Sequence, residues 1–142
     1  MRVRLSALAL AAGVLAIGGC GDGGPRRYSV TGKVLAQGEP AVGATVTFVR
    51  KGSPDPLAEA TPQGTVGEDG TFSLAGPGGD GAVPGEYAVL VEWKEGAGKK
   101  KGRAPALSAP DRLKKKYLDP NKPLLTATVE PKSNVLPPFD VK

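Results

Sequence analysis

Residues 30–48 read VTGKVLAQGEPAVGATVTF, two apolar alternations separated by one turn. Val30, Gly32 and Val34 alternate with Thr31 and Lys33, and Ala44, Val46 and Phe48 alternate with Thr45 and Thr47. Side chains along a strand point to opposite faces at each step, so a period of two marks a strand with one face buried. Gln37-Gly38-Glu39-Pro40 supplies the turn between them. The longest such run is Glu86 to Trp93, in which Tyr87, Val89, Val91 and Trp93 share a face. Tyr87, just after Pro84-Gly85, can keep its ring inside and its hydroxyl at a polar edge.

The rest of the chain fits the same pattern. Gly64 to Val66 reads as a short strand, and Gly67-Glu68-Asp69-Gly70 as a hairpin turn, because Asp-Gly supplies positive φ. Thr71 to Leu74 is then the return strand, with Phe72 and Leu74 inward. Leu125, Ala127 and Val129 form another alternation, and Phe139 and Val141 close the chain. Residues 51–62 and 76–85 read as loops. No helical period is sustained beyond the first 19 residues. Seven short strands from Tyr28 to Val141 predict an all-β sandwich. Its expected core is Val30, Val46, Phe48, Phe72, Tyr87, Val89, Val91 and Val129. Gly32, inside a strand, is expected to mark a bulge or a close approach.

The N-terminus has a different character. Arg2 and Arg4 precede Leu5 to Ile17, an apolar run of 13 residues, well short of the ~20 that span a bilayer. This is the pattern of a secretory signal peptide, and the run is expected to be a helix standing away from the sandwich. Ile17-Gly18-Gly19-Cys20 resembles the lipobox of bacterial lipoproteins, in which the chain is cut before the cysteine and its sulfur carries a diacylglycerol. Cys20 is the only cysteine of the chain, as a modification needing one thiol would require. Stable anchoring takes more than one acyl chain, which a lipoprotein has. The alternative is a signal peptide with an incidental cysteine, or a short anchor that stays on. The expected organisation is a leader over 1–19, a lipidated Cys20 with a glycine-rich tether over 20–27, and the sandwich over 28–142. Gly21 stands where lipoproteins kept at the inner membrane carry aspartate, so the resemblance slightly favours the outer membrane.

Composition narrows the chemistry. A chain of 142 residues with 21 glycines, 14 prolines and one cysteine holds no internal disulfide, so an exported fold stands on packing alone. It contains no histidine, which removes Ser-His and Cys-His catalysis and histidine metal sites. The net charge of +5 is unevenly spread. Residues 94–116 hold nine basic side chains against Glu95 and Asp111, and the remainder of the processed chain is mildly acidic.

The segments VTGKVLAQGEPAVGATVTF (30–48), GEDGTFSLAG (67–76) and VPGEYAVLVEW (83–93) together resemble a carboxypeptidase regulatory-like domain, the transthyretin-like β-sandwich. The matching residues are Val30, Gly32 and Val34; Pro40, Gly43, Ala44 and Val46; Asp69, Gly70 and Phe72; Pro84, Gly85 and Tyr87. The tail, with Lys116-Tyr117, Leu125-Thr126, Val129 and Phe139-Asp140-Val141, is similar to the ends of small bacterial lipoproteins built on this sandwich. The resemblance implies the fold and no established activity. The fold's hydroxyisourate hydrolases depend on histidines that are missing here.

Candidate sites are few. Glu68 and Asp69 are too few acids for calcium, which takes six to eight oxygens, and read as a turn. Trp93 is a sugar-stacking platform or, by its register with Val89 and Val91, a core residue. Lys99, Lys100, Lys101, Lys114, Lys115 and Lys116 are the candidate contacts to an anionic surface. The plainer reading of their loop is a solvated, mobile insertion. No aromatic residue interleaves the first triplet, so nucleic acid is not expected. Tyr117 is expected to dock on the sandwich. The expectation is a lipid-anchored, non-catalytic envelope domain that contacts a protein or glycan, without cofactor or metal. The alternative is a small-molecule carrier or hydrolase of the transthyretin-like fold. Oligomeric state is not legible in the sequence.

Overall fold

All seven expected strands form, and four two-residue strands join them. The computed structural model describes residues 24–52, 61–99 and 105–142. Cys20 and the leader helix expected over Leu5 to Ile17 lie outside these residues, as do Lys100 and Lys101. The strands are β1 (Val30–Ala36), β2 (Glu39–Pro40), β3 (Thr45–Arg50), β4 (Gln63–Thr65), β5 (Thr71–Ser73), β6 (Ala75–Gly76), β7 (Gly79–Asp80), β8 (Gly85–Glu92), β9 (Thr126–Val129), β10 (Asn134–Val135) and β11 (Phe139–Val141). They form two sheets, and the described chain is an all-β sandwich.

β1 is the middle of the first sheet. On one edge Val34 donates its N–H to the carbonyl of Gly70 and accepts from Ala41 N–H, so β5 and β2 lie along that side. On the other edge Ser29 and Thr31 accept from Asn134 and Leu136, so β10 and then β11 run parallel to β1. The second sheet has the order β7-β6-β4-β3-β8-β9, with β3 and β8 paired antiparallel over six positions.

Two loop expectations need correction. Gly67 to Gly70 does not close a hairpin within one sheet. β4 pairs with β3 and β6, whereas β5 pairs with β1, so the turn carries the chain from the second sheet to the first. The local signal was right, with Gly67 N–H donating to Thr71 O and Gly70 at φ 82°, but a turn motif does not record which partner takes the next strand. The glycine-rich loop over 76–85 contains the β6–β7 ladder, where Gly78 and Gly79 take the left-handed backbone that lets two residues on each side pair.

Asp69 Oδ1 accepts from the Thr71 hydroxyl at 2.6 Å and from Thr71 N–H at 3.0 Å. These bonds favour the carboxylate and hold its pKa below the usual value. A folded pKa below the unfolded one adds stability above the unfolded pKa, and that stability is lost as pH falls through the folded value. The melting temperature of Asp69→Ala is therefore expected to lie below that of the parent at pH 6. The gap should narrow on acidification below about pH 4; a constant gap down to pH 2 would contradict this origin.

The core lies between the sheets, and all eight residues expected there are buried. Phe48 of β3 meets the Phe72 ring of β5 at 6.3 Å and the Tyr87 ring of β8 at 5.7 Å. Phe72 also stacks near Phe139 of β11, at 6.3 Å. Gly32 is a close approach, as its position in a strand implied: a Cβ there would sit 2.8 Å from the Phe72 ring. The Tyr87 hydroxyl donates to Val83 O at 2.7 Å while its ring is buried. The one buried polar side chain among the described residues is Asn134. It accepts from Glu130 N–H and donates to the carbonyls of Glu130 and Lys132, which fixes the turn leading into β10.

Both long strands run the same length of the sandwich and give it two ends. β1 and β8 begin beside Pro25, Arg27 and Val83, where Tyr28 and Ala82 exchange backbone bonds. They finish about 20 Å away at ~3.3 Å per residue, where Ala36, Trp93 and Val141 come together.

Candidate functional site at the far end of the sandwich

Asp111 organises the far end. Its Oδ1 accepts from the N–H groups of Trp93 (2.8 Å) and Leu113 (3.3 Å), and its Oδ2 from Lys115 N–H (2.7 Å). An aspartate that caps the backbone just beyond it makes a tight turn. Here the turn is tight enough to hold Lys114 and Lys115 at positive φ, 53° and 60°. Leu113 and Tyr117 point inward from it and are buried, and the Tyr117 hydroxyl accepts from Lys142 N–H at 3.0 Å.

Residues 111–116 of the basic insertion are therefore a folded turn: their lysines are solvated, as expected, but the backbone that carries them is tied down, and Tyr117 docks on the sandwich as expected. Charge and proline density suggested mobility, but one carboxylate and two buried side chains outweigh them. Ala97 and Gly98 dock as well. Ala97 is buried, and Gly98 packs so closely on Gly43 that a Cβ on Gly43 would meet Gly98 N at 2.5 Å.

Trp93 sits at the margin of the core, half-buried, and not within it. Its indole N–H donates to Val42 O at 2.9 Å. The guanidinium of Arg112 lies over the ring, 3.6 Å from its centre, and Arg112 N–H donates to Trp93 O at 2.7 Å. Sequence alone did not single out Arg112 or Asp111. The available signal was Pro110 and Asp111 before the second triplet, two residue types that favour turns, the aspartate by bonding the backbone two residues on.

Beside this stack is an open cleft of about 390 Å³, within the size range of small-ligand sites. Ala36, Pro40, Leu113 and Val141 give it an apolar floor, and Gln37, Glu39, Arg112 and Lys142 give it a polar rim. Gln37, like Lys114 and Lys115, has positive φ. These three are the non-glycine residues of that kind among those described, and all lie in turns at this end.

The structure separates the second lysine triplet from the N-terminal end. Lys99, Lys114, Lys115 and Lys116 are exposed, and among the described residues none is in an ion pair. The second triplet lies at the end opposite Pro25 and Arg27. A separation of about 20 Å is more than two screening lengths at physiological ionic strength, ~8 Å each. The N-terminal end has its own cleft, about 260 Å³, lined in part by Arg27, Arg50, Pro62 and Tyr87. Arg27 there donates to the carbonyls of Pro77 and Gly81. Among the described residues no three His, Cys, Asp or Glu side chains gather as a metal site, and Asp69, half of the weighed calcium pair, spends its Oδ1 on Thr71.

No known family profile and no curated protein matches this chain. Among solved structures it is similar to a DUF3823 family protein from Parabacteroides merdae, with 16% identity and a TM-score of 0.43. That likeness covers 83% of this chain and 47% of the other, so the chain spans about half the length of the protein it matches.

Proposed function

We propose that this chain is a lipid-anchored, non-catalytic envelope domain, held at the membrane through Cys20, whose far end makes the functional contacts. The carboxypeptidase regulatory-like family is the reading that the motifs over 30–93 support best. The carrying observation for the far end is the division of the molecule: the chain joins the sandwich beside Arg27, while the Trp93–Arg112 cleft and the lysine turn lie at the opposite end.

Arg27 is already bound to Pro77 and Gly81, so a lipid on Cys20 is no more than seven residues from the sandwich. That is a reach of at most ~25 Å. The N-terminal end would then face the bilayer and the far end the surrounding compartment. In this arrangement Lys114, Lys115 and Lys116 act on a partner and not on the protein's own membrane. Anionic proteins and glycans are the partners that unpaired lysines favour.

The experiment is mass spectrometry of the mature N-terminus purified from envelope. A diacylglycerol-modified Cys20 is expected, and Cys20→Ser should leave an uncut precursor or a free exported form. A bare thiol on the native mature protein would overturn the anchor.

A further inference from the structure

We infer that Arg112 is an anion-binding residue, and that the cleft beside it takes the carboxylate of a small organic acid. This goes beyond the proposed function and stands whether or not Cys20 carries lipid. The guanidinium is held in place before any ligand arrives. Its central carbon lies over the indole, 3.6 Å from the ring centre. The indole is fixed by its own bond to Val42, and the backbone of Arg112 by its bond to Trp93 and by the capped Asp111 turn.

Its donors are unspent. Among the described residues its side chain makes no hydrogen bond and no ion pair, the stack on Trp93 being its only interaction. A stacked guanidinium keeps its N–H edge free, and that edge matches a carboxylate in a two-point contact. Preorganisation of this kind removes the ordering cost that binding would otherwise incur.

The surroundings select among anions. Lys142 lies on the same rim, and Glu39 opposes a ligand of high negative charge. Pro40, Leu113 and Val141 offer an apolar surface that inorganic phosphate would leave unused. A carboxylate attached to a short apolar or ring-shaped body fits both features. The lysine turn adds attraction at a distance but no fixed geometry.

Trp93 is the only tryptophan of the chain, so its indole N–H signal in a nitrogen-correlated spectrum reports on the cleft alone. The test uses the chain from Gly21 onward, which contains both sheets and every core residue. Hexanoate and glucuronate are the probes, with hexanamide and inorganic phosphate compared at equal ionic strength. A saturable shift of the indole signal is expected with at least one of the two carboxylates, and none with hexanamide. Arg112→Gln should bind at least tenfold more weakly, and Arg112→Lys should also weaken binding, since lysine keeps the charge without the fork. Changing Lys114, Lys115 and Lys116 together to Gln should alter affinity less than twofold. Three outcomes would overturn the assignment: no saturable shift with either carboxylate, equal affinity in Arg112→Gln, or a triple-lysine variant as impaired as Arg112→Gln. Tighter binding of phosphate than of both carboxylates would also overturn it.

Discussion

Phe72→Ala is expected to lower the unfolding free energy by ~3–5 kcal/mol, the usual cost of a Phe-to-Ala change in a core. The ring is 2% exposed and lies between the sheets, near Phe48 from the second sheet and Phe139 from the first. The site collapses poorly because its walls are strands whose backbones are already paired. A domain of this kind has ~5–15 kcal/mol in total, so the variant should unfold at a much lower urea midpoint. A loss under ~1 kcal/mol would mean that the ring does not join the sheets.

A second substitution sharpens this expectation. Gly32 faces Phe72 across the β1–β5 ladder, and a Cβ added at Gly32 would come within 2.8 Å of the ring. Gly32→Ala should therefore destabilise the parent chain. In the Phe72→Ala background the same methyl group enters vacated space and should cost little or add stability. Residues in contact couple in this way and distant ones do not, so additive effects would place the two residues apart.

Much of this architecture was legible because it rests on period and punctuation. Val46, Phe48, Tyr87, Val89 and Val91 are buried where alternation put them, since strand sides are set by geometry before any neighbour is known. Partner choice was less accessible. The Gly67–Gly70 turn looks the same whether the next strand returns to its own sheet or, as here, crosses to pair with β1. Asn134 and the β6–β7 ladder were missed although both are local, because each spans too few residues for an alternation to show: Asn134 bonds residues two and four positions before it, and only Pro77-Gly78 separates β6 from β7. The far-end cleft was the least legible part. Charge dominates residues 94–116 in the sequence, yet the structure of residues 111–117 is governed by one aspartate, one leucine and two rings.

Asp111→Ala tests that last point and is expected to cost ~2–3 kcal/mol. The carboxylate accepts three backbone N–H groups, from Trp93, Leu113 and Lys115. Bonds to a charged group contribute ~1.5–3 kcal/mol each when their loss leaves a donor unpaired. Two of these donors lie in a turn that water reaches once it opens, so the total falls well below the sum. Lys114 and Lys115 would also be released from a left-handed backbone that costs roughly 1–2 kcal/mol per residue, which offsets part of the loss and favours opening. The damage should be local. Leu113 and Tyr117 would leave the core edge, Arg112 would lose its place on Trp93, and indole emission should shift to the red while the β-sheet circular dichroism stays native. Asp111→Asn should fall between parent and Asp111→Ala, because one amide oxygen replaces two carboxylate oxygens and leaves Lys115 N–H or the Trp93–Leu113 pair unserved. A stability loss under ~0.5 kcal/mol with unchanged Trp93 emission would show that Leu113 and Tyr117 hold the turn by themselves. Arg112 would then owe its position to packing and not to the cap.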